Sequence, residues 1–400
     1  MNTLTFQLIM KHSLFLATLS IVLACCTPMD RTETLEYTVI LQETLDYSQL
    51  DSFHPMFAEL KEYLFFIDKN VVFRKAAISY PSVDPNGNPI TVSGLVFHPL
   101  NRKSRGVIDF MPTAHMDADG GGTDEILAIE GIMVLFGYTI LVPDLVGSGI
   151  SKDLPLPLLI SENTGRVSYD MHCAAARYLW DEFRYQMPTE TTIMGYSIGG
   201  SGALATQKYF EAYHSNTVKV KEVHAGGGAY DLPVAFEAFV RDGIANYPVI
   251  PLIILSFKHY YFDYFGRDFD LSNVFKGDLL THCEEWYSGK YTSSQIKNFI
   301  GADLHAYMHD DFFKPFAQQN PTLQSLYPYL IENSVSEGWK PKAPIYMTHC
   351  TSDETVPIEC SEAAVKKLRR AGANVSYNTY PGNHISVGAV WFIKRFLSLL

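Results

Sequence analysis

Apolar positions along the chain follow either the period of a strand or the period of a helix, and strand-like and helix-like segments alternate. Short runs rich in β-branched and aromatic residues predict strands at Val71–Tyr80, Ile90–His98, Gly106–Met111, Tyr138–Pro143, Thr191–Tyr196, Val218–Ala225, Ile345–His349 and Val375–Tyr380. Helical spacing predicts helices at Glu125–Phe136, Ser168–Tyr185, Ile198–Tyr213, Pro357–Ala371 and His384–Leu400. The turn at Pro85–Asn88 makes the first two strands an antiparallel hairpin. This alternation predicts the α/β class, a mostly parallel sheet with helices on both faces.

Residues 231–340 depart from the alternation. They contain few clear strands and many aromatic residues, with seven Phe or Tyr between Tyr260 and Phe275. Such a block between two strands of a wound sheet predicts an inserted helical cap, or lid. The core then consists of residues 69–230 and 341–400. The aromatic side chains either pack inside the cap or line a site for an acyl chain.

The N-terminal residues predict export. Met10–His12 is a short positively charged segment, and the apolar stretch Ser13–Ala24 follows it. Val22–Cys25 resembles the bacterial lipobox, in which the cysteine is acylated after cleavage in front of it, although Leu is commoner than Val at the first position. We therefore expect a signal peptide at residues 1–24 and a lipid anchor at Cys25, with a plain cleaved signal as the alternative.

Residues 25–68 are polar and weakly patterned, and we interpret them as a tether followed by a helical lead-in. No other run of the sequence reaches the roughly 18 apolar residues that a membrane span needs. We therefore expect a protein of the bacterial cell envelope that contacts the membrane through its lipid anchor, on the periplasmic side or at the cell surface.

Composition narrows the function further. The 400 residues include 31 Lys and Arg against 43 Asp and Glu, which gives a formal net charge of −12. Nucleic-acid binding needs a basic surface, so this balance argues against it. Hydrophobic residues make up 47% of the chain, which is enough to build a large core and excludes a disordered protein.

The chain has six cysteines, and a lipid anchor at Cys25 would leave five. An exported protein can form disulfide bonds. Cys350 and Cys360 are close enough in sequence to close a small loop. They form that disulfide or remain as buried free thiols.

Three residues at the ends of predicted strands have the types and order of a catalytic triad. Gly195–Gly199 has the G-x-S-x-G pattern between a strand and a helix, with Ser197 at its centre. Asp353 and His384 follow two later strands. The order Ser, Asp, His differs from that of the chymotrypsin-like and subtilisin-like proteases. Because open α/β sheets gather their sites at the carboxyl ends of strands, we expect these side chains to meet.

With these residues the chain resembles the α/β-hydrolase family, and more narrowly the secreted lipases typified by yeast lipase A. The narrower resemblance rests on four segments: Tyr80–Pro99, Gly137–Ser151, Gly195–Gly200 and Trp339–Pro357. It implies an α/β-hydrolase fold, ester hydrolysis without metal or cofactor, and a lid between the sixth and seventh core strands. The inserted block of this chain lies between those strands.

In this interpretation Ser197 is the nucleophile, His384 the general base and Asp353 the group that orients the histidine. Glu354 and Asp231 are rival acids. Asp144 is expected to anchor a loop.

An oxyanion hole needs two backbone N–H groups. The first is expected from Ile198, directly after the nucleophile. The second is expected from Thr113 or Ala114, in the loop Pro112–His115, which does not have the HGGG form.

A second cluster has spacing that is compatible with a metal. His305 and His309 are four residues apart, and Asp310 and Asp311 follow them. No H-E-x-x-H signature is present, so we expect a solvated cap helix.

Three hypotheses for the function follow. The first is a lipid-anchored serine esterase or lipase that acts on small-molecule or lipid esters with an apolar acyl or alcohol part. The second is an exported serine peptidase or a carbohydrate deacetylase, because one triad serves amides and sugar esters alike. The third is a catalytically silent binding lipoprotein with the same fold. The complete set of Ser197, Asp353 and His384 argues against the third.

Overall fold

The computed structural model describes residues 35–48, 68–113 and 128–398. The expected signal peptide at residues 1–24, the anchor Cys25 and the candidate donor Ala114 lie outside these ranges. Among the helices in the described ranges, none is both long and apolar enough to cross a membrane.

The described residues contain a nine-stranded sheet. Its strands in chain order are β1 Thr38–Asp46, β2 Val72–Val83, β3 Pro89–Pro99, β4 Val107–Met111, β5 Thr139–Pro143, β6 Glu190–Tyr196, β7 Lys219–Gly226, β8 Ile345–Cys350 and β9 Val375–Tyr380. Across the sheet they lie in the order β1-β2-β3-β5-β4-β6-β7-β8-β9. In this spatial order the pairs β1-β2, β2-β3 and β3-β5 are antiparallel. The pairs β5-β4, β4-β6, β6-β7, β7-β8 and β8-β9 are parallel. The predicted antiparallel edge and parallel remainder are confirmed.

The α-helices are α1 Ala128–Gly131, α2 Ser161–Phe183, α3 Ile198–Tyr213, α4 Leu232–Asp242, α5 Val249–Phe257, α6 Gly277–Trp286, α7 Ser293–Ile300, α8 Leu304–Tyr307, α9 Pro321–Asn333, α10 Ile358–Arg370 and α11 His384–Ser398. Short 3₁₀ turns occur at Ile132–Phe136, Gly149–Ser151, Asp263–Phe265, Leu271–Asn273, Asp310–Phe313 and Phe316–Gln318, and a π turn at Lys258–Phe262.

Helices cover both faces of the sheet. In β4 the successive residues Phe110 and Met111 are both buried, but they belong to different hydrophobic clusters. Successive strand side chains point to opposite faces, so each face of β4 has its own core. Phe110 packs with Phe392 of α11, whereas Met111 packs with residues of α3 such as Leu204.

Most predicted elements agree with the structure, but the long helix α2 begins at Ser161 rather than Ser168. Its first residues are polar and include Gly165, which weakens a helix in isolation. The tertiary contact explains this glycine, because a Cβ atom there would lie 2.3 Å from the Cβ of Tyr209 in α3. Close packing between the two helices therefore selects glycine.

The interpretation of residues 25–68 as a tether and a helical lead-in included no strand, and residues 38–46 differ from it. These residues form β1, which pairs antiparallel with β2 from Thr38↔Ser79 to Asp46↔Val72. Most side chains of β1 are at least partly exposed, so the strand lacks the strong apolar alternation that identifies strands in a sequence. Its conformation is stabilised by main-chain pairing with a distant segment, which local pattern does not reveal.

Between β7 and β8 the chain forms helices α4 to α9. They share a hydrophobic cluster that includes the buried side chains of Tyr260, Phe262, Phe269 and Phe275. The aromatic segment therefore supplies interior packing for this region. The region follows the seventh observed strand rather than the sixth because β1 precedes the predicted strands.

Candidate active site

Ser197 occupies a sharp turn between β6 and α3. Its backbone angles are φ 59° and ψ −127°, in a region that residues other than glycine rarely adopt. Its N–H donates to the carbonyl of Gly226 at 2.8 Å, which ties the turn to β7. Strained backbone of this kind concentrates at functional sites, and here it presents the Ser197 hydroxyl at the sheet edge.

The two glycines of the G-x-S-x-G pattern are required by close backbone approaches. A Cβ atom on Gly195 would lie 2.0 Å from the carbonyl oxygen of Gly199. A Cβ atom on Gly199 would lie 2.3 Å from the carbonyl oxygen of Met111. The second contact also shows that the end of β4 lies beside the turn, since β4 and β6 are neighbours in the sheet.

The structure brings Ser197, His384 and Asp353 together at the ends of β6, β9 and β8. His384 Nδ1 lies 2.8 Å from Asp353 Oδ2, and His384 Nε2 lies 2.9 Å from Ser197 Oγ. Because a carboxylate only accepts hydrogen bonds, Nδ1 carries a proton and donates a hydrogen bond to Asp353. Nε2 is then free to accept the proton of the Ser197 hydroxyl.

Five hydrogen-bond donors surround the fully buried carboxylate of Asp353. They lie 2.8–3.2 Å from its oxygens and are the backbone N–H groups of Thr355 and Val356 and the side chains of His349, Cys350 and His384. Burial by itself would raise the pKa of Asp353, but these hydrogen bonds outweigh it and hold the pKa well below its usual value. Asp353 therefore stays charged opposite His384 throughout the working pH range.

His349, Cys350 and Asp353 also form the one group of potential metal ligands found in the described part of the chain. The Cys350 thiol lies 2.8 Å from Asp353 Oδ2, and His349 Nε2 lies 3.2 Å from that oxygen and 3.0 Å from the carbonyl oxygen of Val356. We interpret the group as a hydrogen-bond network that orients the acid.

The rival acids have other partners. Glu354 accepts the backbone N–H of His384 at 3.1 Å and so holds the start of α11, not the imidazole ring. Asp231 is buried against Ser336 Oγ at 2.8 Å and Lys367 Nζ at 2.7 Å.

Asp144 accepts a short hydrogen bond from the Ser93 hydroxyl. This contact joins the segment after β5 to β3, as expected for a loop anchor.

The two histidines of the predicted metal-compatible cluster contact different partners. His305 stacks on the ring of Phe313 with centroids 3.7 Å apart, and His309 Nδ1 accepts the backbone N–H of Asp311 at 3.1 Å. Asp310 pairs with Lys276 at 2.5 Å. These contacts account for the cluster without a ligand.

The predicted alternative of a disulfide between Cys350 and Cys360 is wrong. Both thiols are free and fully buried. Cys350 donates to Asp353 as described, and Cys360 Sγ lies 3.5 Å from the carbonyl oxygen of Gly228. The fold directs the two thiols to different partners, and burial raises the pKa of Cys360 to about 12, which keeps that thiol unreactive.

We expect iodoacetamide to alkylate both Cys350 and Cys360 when the protein is unfolded in denaturant without any reductant. Mass spectrometry of the digested protein would detect the two modified peptides. A parallel sample reduced first should give the same peptides in the same yield. A peptide pair linked through Cys350 and Cys360 in the unreduced sample would contradict the free-thiol structure.

A tyrosine fixes the position of the histidine. Tyr196, the last residue of β6, donates its hydroxyl to the carbonyl of His384 at 2.7 Å. Its ring also packs against the imidazole, with centroids 5.2 Å apart. The residue before the nucleophile thus positions the first residue of α11, a role that the sequence pattern did not indicate.

Ser197 and His384 open on a cavity of about 430 Å³. Its lining is mainly apolar and comes from α4, α5, α11 and the segment before α2, including Leu159, Leu232, Phe236, Phe239, Ile253 and Phe392. A cavity of this size and character suits a small apolar ligand.

The two candidate oxyanion donors within the described ranges border the same cavity. Ile198 is the first residue of α3, and the first N–H groups of an α-helix have no intrahelical partner. Thr113 follows the end of β4, beside the Ser197 turn. The positions suit an oxyanion near Ser197.

One acidic residue in the cavity was missed by the sequence interpretation. Glu130 of α1 lines the cavity with only 3% of its surface exposed, and within the described part of the chain its Oε2 atom has no hydrogen-bond partner. Burial raises its pKa to about 8, so the carboxyl is mostly neutral at pH 7. The available signal was a single acid within the otherwise apolar run 126–136.

The free energy of unfolding should depend on pH because of this buried acid. The pKa of Glu130 rises from 4.5 in the unfolded chain to about 8 in the fold, so the folded state holds an extra proton between these values. Relative to Glu130→Gln, the wild type should lose up to about 1.4 kcal/mol of stability per pH unit across that range. Urea unfolding at several pH values would measure the difference.

Subtracting the Glu130→Gln curve removes the contributions of groups that both proteins share. One of these is His98, whose burial lowers its pKa to about 4 and which therefore stabilises the fold as the pH rises. A difference that stays constant between pH 4.5 and pH 8 would show that Glu130 is charged in the folded protein.

Similar solved structures cover most of this chain. A protein from Legionella pneumophila has a TM-score of 0.75 at 18% identity, with 92% of this chain and 97% of that chain covered. The rice cell wall degrading esterase LipA from Xanthomonas oryzae has a TM-score of 0.73 at 20% identity, with 92% and 96% covered. Candida antarctica lipase A has a TM-score of 0.60 at 14% identity, with 90% and 82% covered.

No protein-family model matches the sequence, and no curated protein is similar to it in sequence. The structural likeness defines the fold. The chain has the α/β-hydrolase fold, which confirms the fold that the sequence resemblance implied.

Proposed function

We propose that this protein is a serine hydrolase that cleaves carboxylic esters. The observation that carries the proposal is the hydrogen-bonded series Ser197–His384–Asp353, whose serine opens on an apolar cavity. Two proteins of similar fold, the LipA esterase and Candida antarctica lipase A, are named for this kind of activity.

In the proposed reaction Ser197 Oγ attacks the ester carbonyl carbon while His384 Nε2 takes the hydroxyl proton. The buried charge of Asp353 stabilises the imidazolium that forms. The backbone N–H of Ile198 and one from Thr113 or Ala114 would hold the oxyanion. His384 then protonates the leaving alcohol, and a water molecule releases the acid from the acyl-enzyme by the same steps.

The cavity supports an ester with an apolar part. Side chains such as Phe236 and Phe239 would cover an acyl or alcohol chain, and burial of each CH₂ group is worth about 0.8 kcal/mol. This supports an ester substrate over a peptide, which would need partners for its main-chain amides.

Export and lipid anchoring remain part of the proposal. They rest on the sequence of residues 1–24 and on Cys25. Expression in a bacterial host with an alkyne-labelled fatty acid should label the protein, and Cys25→Ser should abolish the label. Equal labelling of both proteins would contradict the anchor.

The first test of the activity is hydrolysis of p-nitrophenyl esters from acetate to palmitate by the purified chain, together with fluorophosphonate labelling. We expect turnover, and a labelled peptide that contains Ser197. The chain-length optimum would separate an esterase from a lipase. Labelling without ester turnover would favour a peptidase or sugar deacetylase, and the absence of both would favour a binding protein.

A further inference from the structure

We propose that Glu130 binds a polar group of the substrate inside the apolar cavity, so that the preferred ester carries a hydroxyl or carbonyl oxygen in its buried part. This inference rests on the proposed ester hydrolysis and specifies the substrate class. It concerns recognition and assigns no step of the reaction to Glu130.

The geometry of the carboxyl is the first argument. Glu130 is 97% buried, since only 3% of its surface is exposed, and it borders the same cavity as Ser197 and His384. Its Oε2 atom has no hydrogen-bond partner among the described residues. Buried polar atoms are nearly always paired in native proteins, so an unpaired carboxyl oxygen at a cavity wall points to a ligand that pairs it.

The backbone that follows Glu130 is packed into the fold. A Cβ atom on Gly131 would lie 2.7 Å from the ring of Phe97, so the backbone is packed directly on β3. The following turn, Ile132–Phe136, is buried at every residue. The backbone that carries Glu130 is therefore fixed, and the buried carboxyl lies at the cavity wall, where its Oε2 atom has no partner among the described residues.

An internal ion pair does not explain the residue. The described lining of the cavity contains no Lys or Arg. The other titratable side chains of that lining are Tyr196, Tyr247 and His384, and His384 is already bonded to Ser197 and Asp353.

The chemistry of the carboxyl selects the ligand group. A protonated carboxyl offers one O–H donor and retains acceptor capacity, so it can pair with a hydroxyl in both directions and with a carbonyl in one. A plain alkyl chain would leave the Oε2 atom without a partner. Sites that are built to hydrogen-bond a substrate hydroxyl reject the analogue that lacks it more strongly than apolar pockets reject a methyl group.

The hydroxyl can belong to either half of the ester, because one cavity contains both Ser197 and Glu130. Two series of matched esters separate these sources. In the acyl series, p-nitrophenyl 6-hydroxyhexanoate and 8-hydroxyoctanoate are compared with the heptanoate and nonanoate. In the alcohol series, 4-hydroxybutyl and 6-hydroxyhexyl butyrate are compared with pentyl and heptyl butyrate.

In each pair a hydroxyl replaces a methyl group of similar size. We expect kcat/KM of the wild type to favour the hydroxyl ester about tenfold or more in one of the series. Glu130→Met should reverse the preference, because the buried hydroxyl then has no partner. Glu130→Gln, which still donates and accepts, should retain most of it.

The outcomes separate this inference from the proposed function. Ester turnover with the same hydroxyl-to-methyl ratio in the wild type and Glu130→Met overturns the role of Glu130 and leaves ester hydrolysis intact. The absence of any ester turnover or fluorophosphonate labelling overturns both. Thermal unfolding distinguishes a structural role: we expect Glu130→Met to melt at or above the wild-type Tm, and a lower Tm with an unchanged ratio would assign Glu130 to stability alone.

Discussion

Replacing Ser197 with alanine is expected to lower kcat for ester hydrolysis by about 10⁶-fold, because it removes the atom that forms the acyl-enzyme. The remaining rate would come from binding and from the oxyanion donors. Fluorophosphonate labelling should disappear as well. Steady-state kinetics on the best p-nitrophenyl ester, with the labelling assay alongside, would measure both effects.

Ser201 provides a matched control for Ser197. It lies on the same helix, and its hydroxyl donates to the carbonyl of Ala229 at 3.0 Å, away from His384. Ser201→Ala should keep labelling and keep kcat within a fewfold of the wild type, with a modest loss of stability of about 1 kcal/mol from the lost hydrogen bond. Ester turnover that survives in Ser197→Ala would contradict the assignment of Ser197 as the nucleophile.

Replacing Asp353 with asparagine is expected to lower kcat by about 10⁴-fold while KM changes little. The amide has the size of the carboxylate but lacks its charge. The amide can also donate a hydrogen bond to His384 Nδ1, which favours the tautomer with the proton on Nε2. In that tautomer Nε2 cannot accept the proton of Ser197. Comparison of kcat and KM on one ester at constant pH would measure the effect.

Glu354→Gln is the control for this prediction, because Glu354 is the adjacent acid. Its amide oxygen can still accept the backbone N–H of His384, so we expect less than a tenfold change in kcat. If Glu354→Gln reduced kcat more than Asp353→Asn did, the orienting acid would be Glu354 and the hydrogen bonds around Asp353 would be structural.

The elements that a sequence predicts well are those with strong local patterns. β4, for example, is buried on both faces, so its run Val107–Met111, which is apolar apart from Asp109, stands out. α3 begins inside the G-x-S-x-G pattern, directly after Ser197, and its observed bounds agree with the predicted ones. β1 has mostly exposed side chains and is held by pairing with β2, so nothing in its own residues identifies it.

The site shows the same division. Ser197, Asp353 and His384 were predictable because each follows a strand, and the carboxyl ends of parallel strands meet at one edge of the sheet. The contacts that orient them are not predictable from the sequence: its spacing allows Cys350 a disulfide with Cys360, yet the thiol donates to Asp353. Which neighbour a buried thiol faces depends on how β8 sits against α10 and α11.

By itself the sequence determined the α/β class, the order of the core strands along the chain and the three residues of the candidate triad, because periodic burial and short turn motifs are local properties. Only the tertiary structure decided the edge strand β1, the free thiols and the place of Glu130 in the cavity that Ser197 also lines. Those features depend on contacts between segments distant in sequence, and their free energies come from burial and pairing that exist only after the chain has folded.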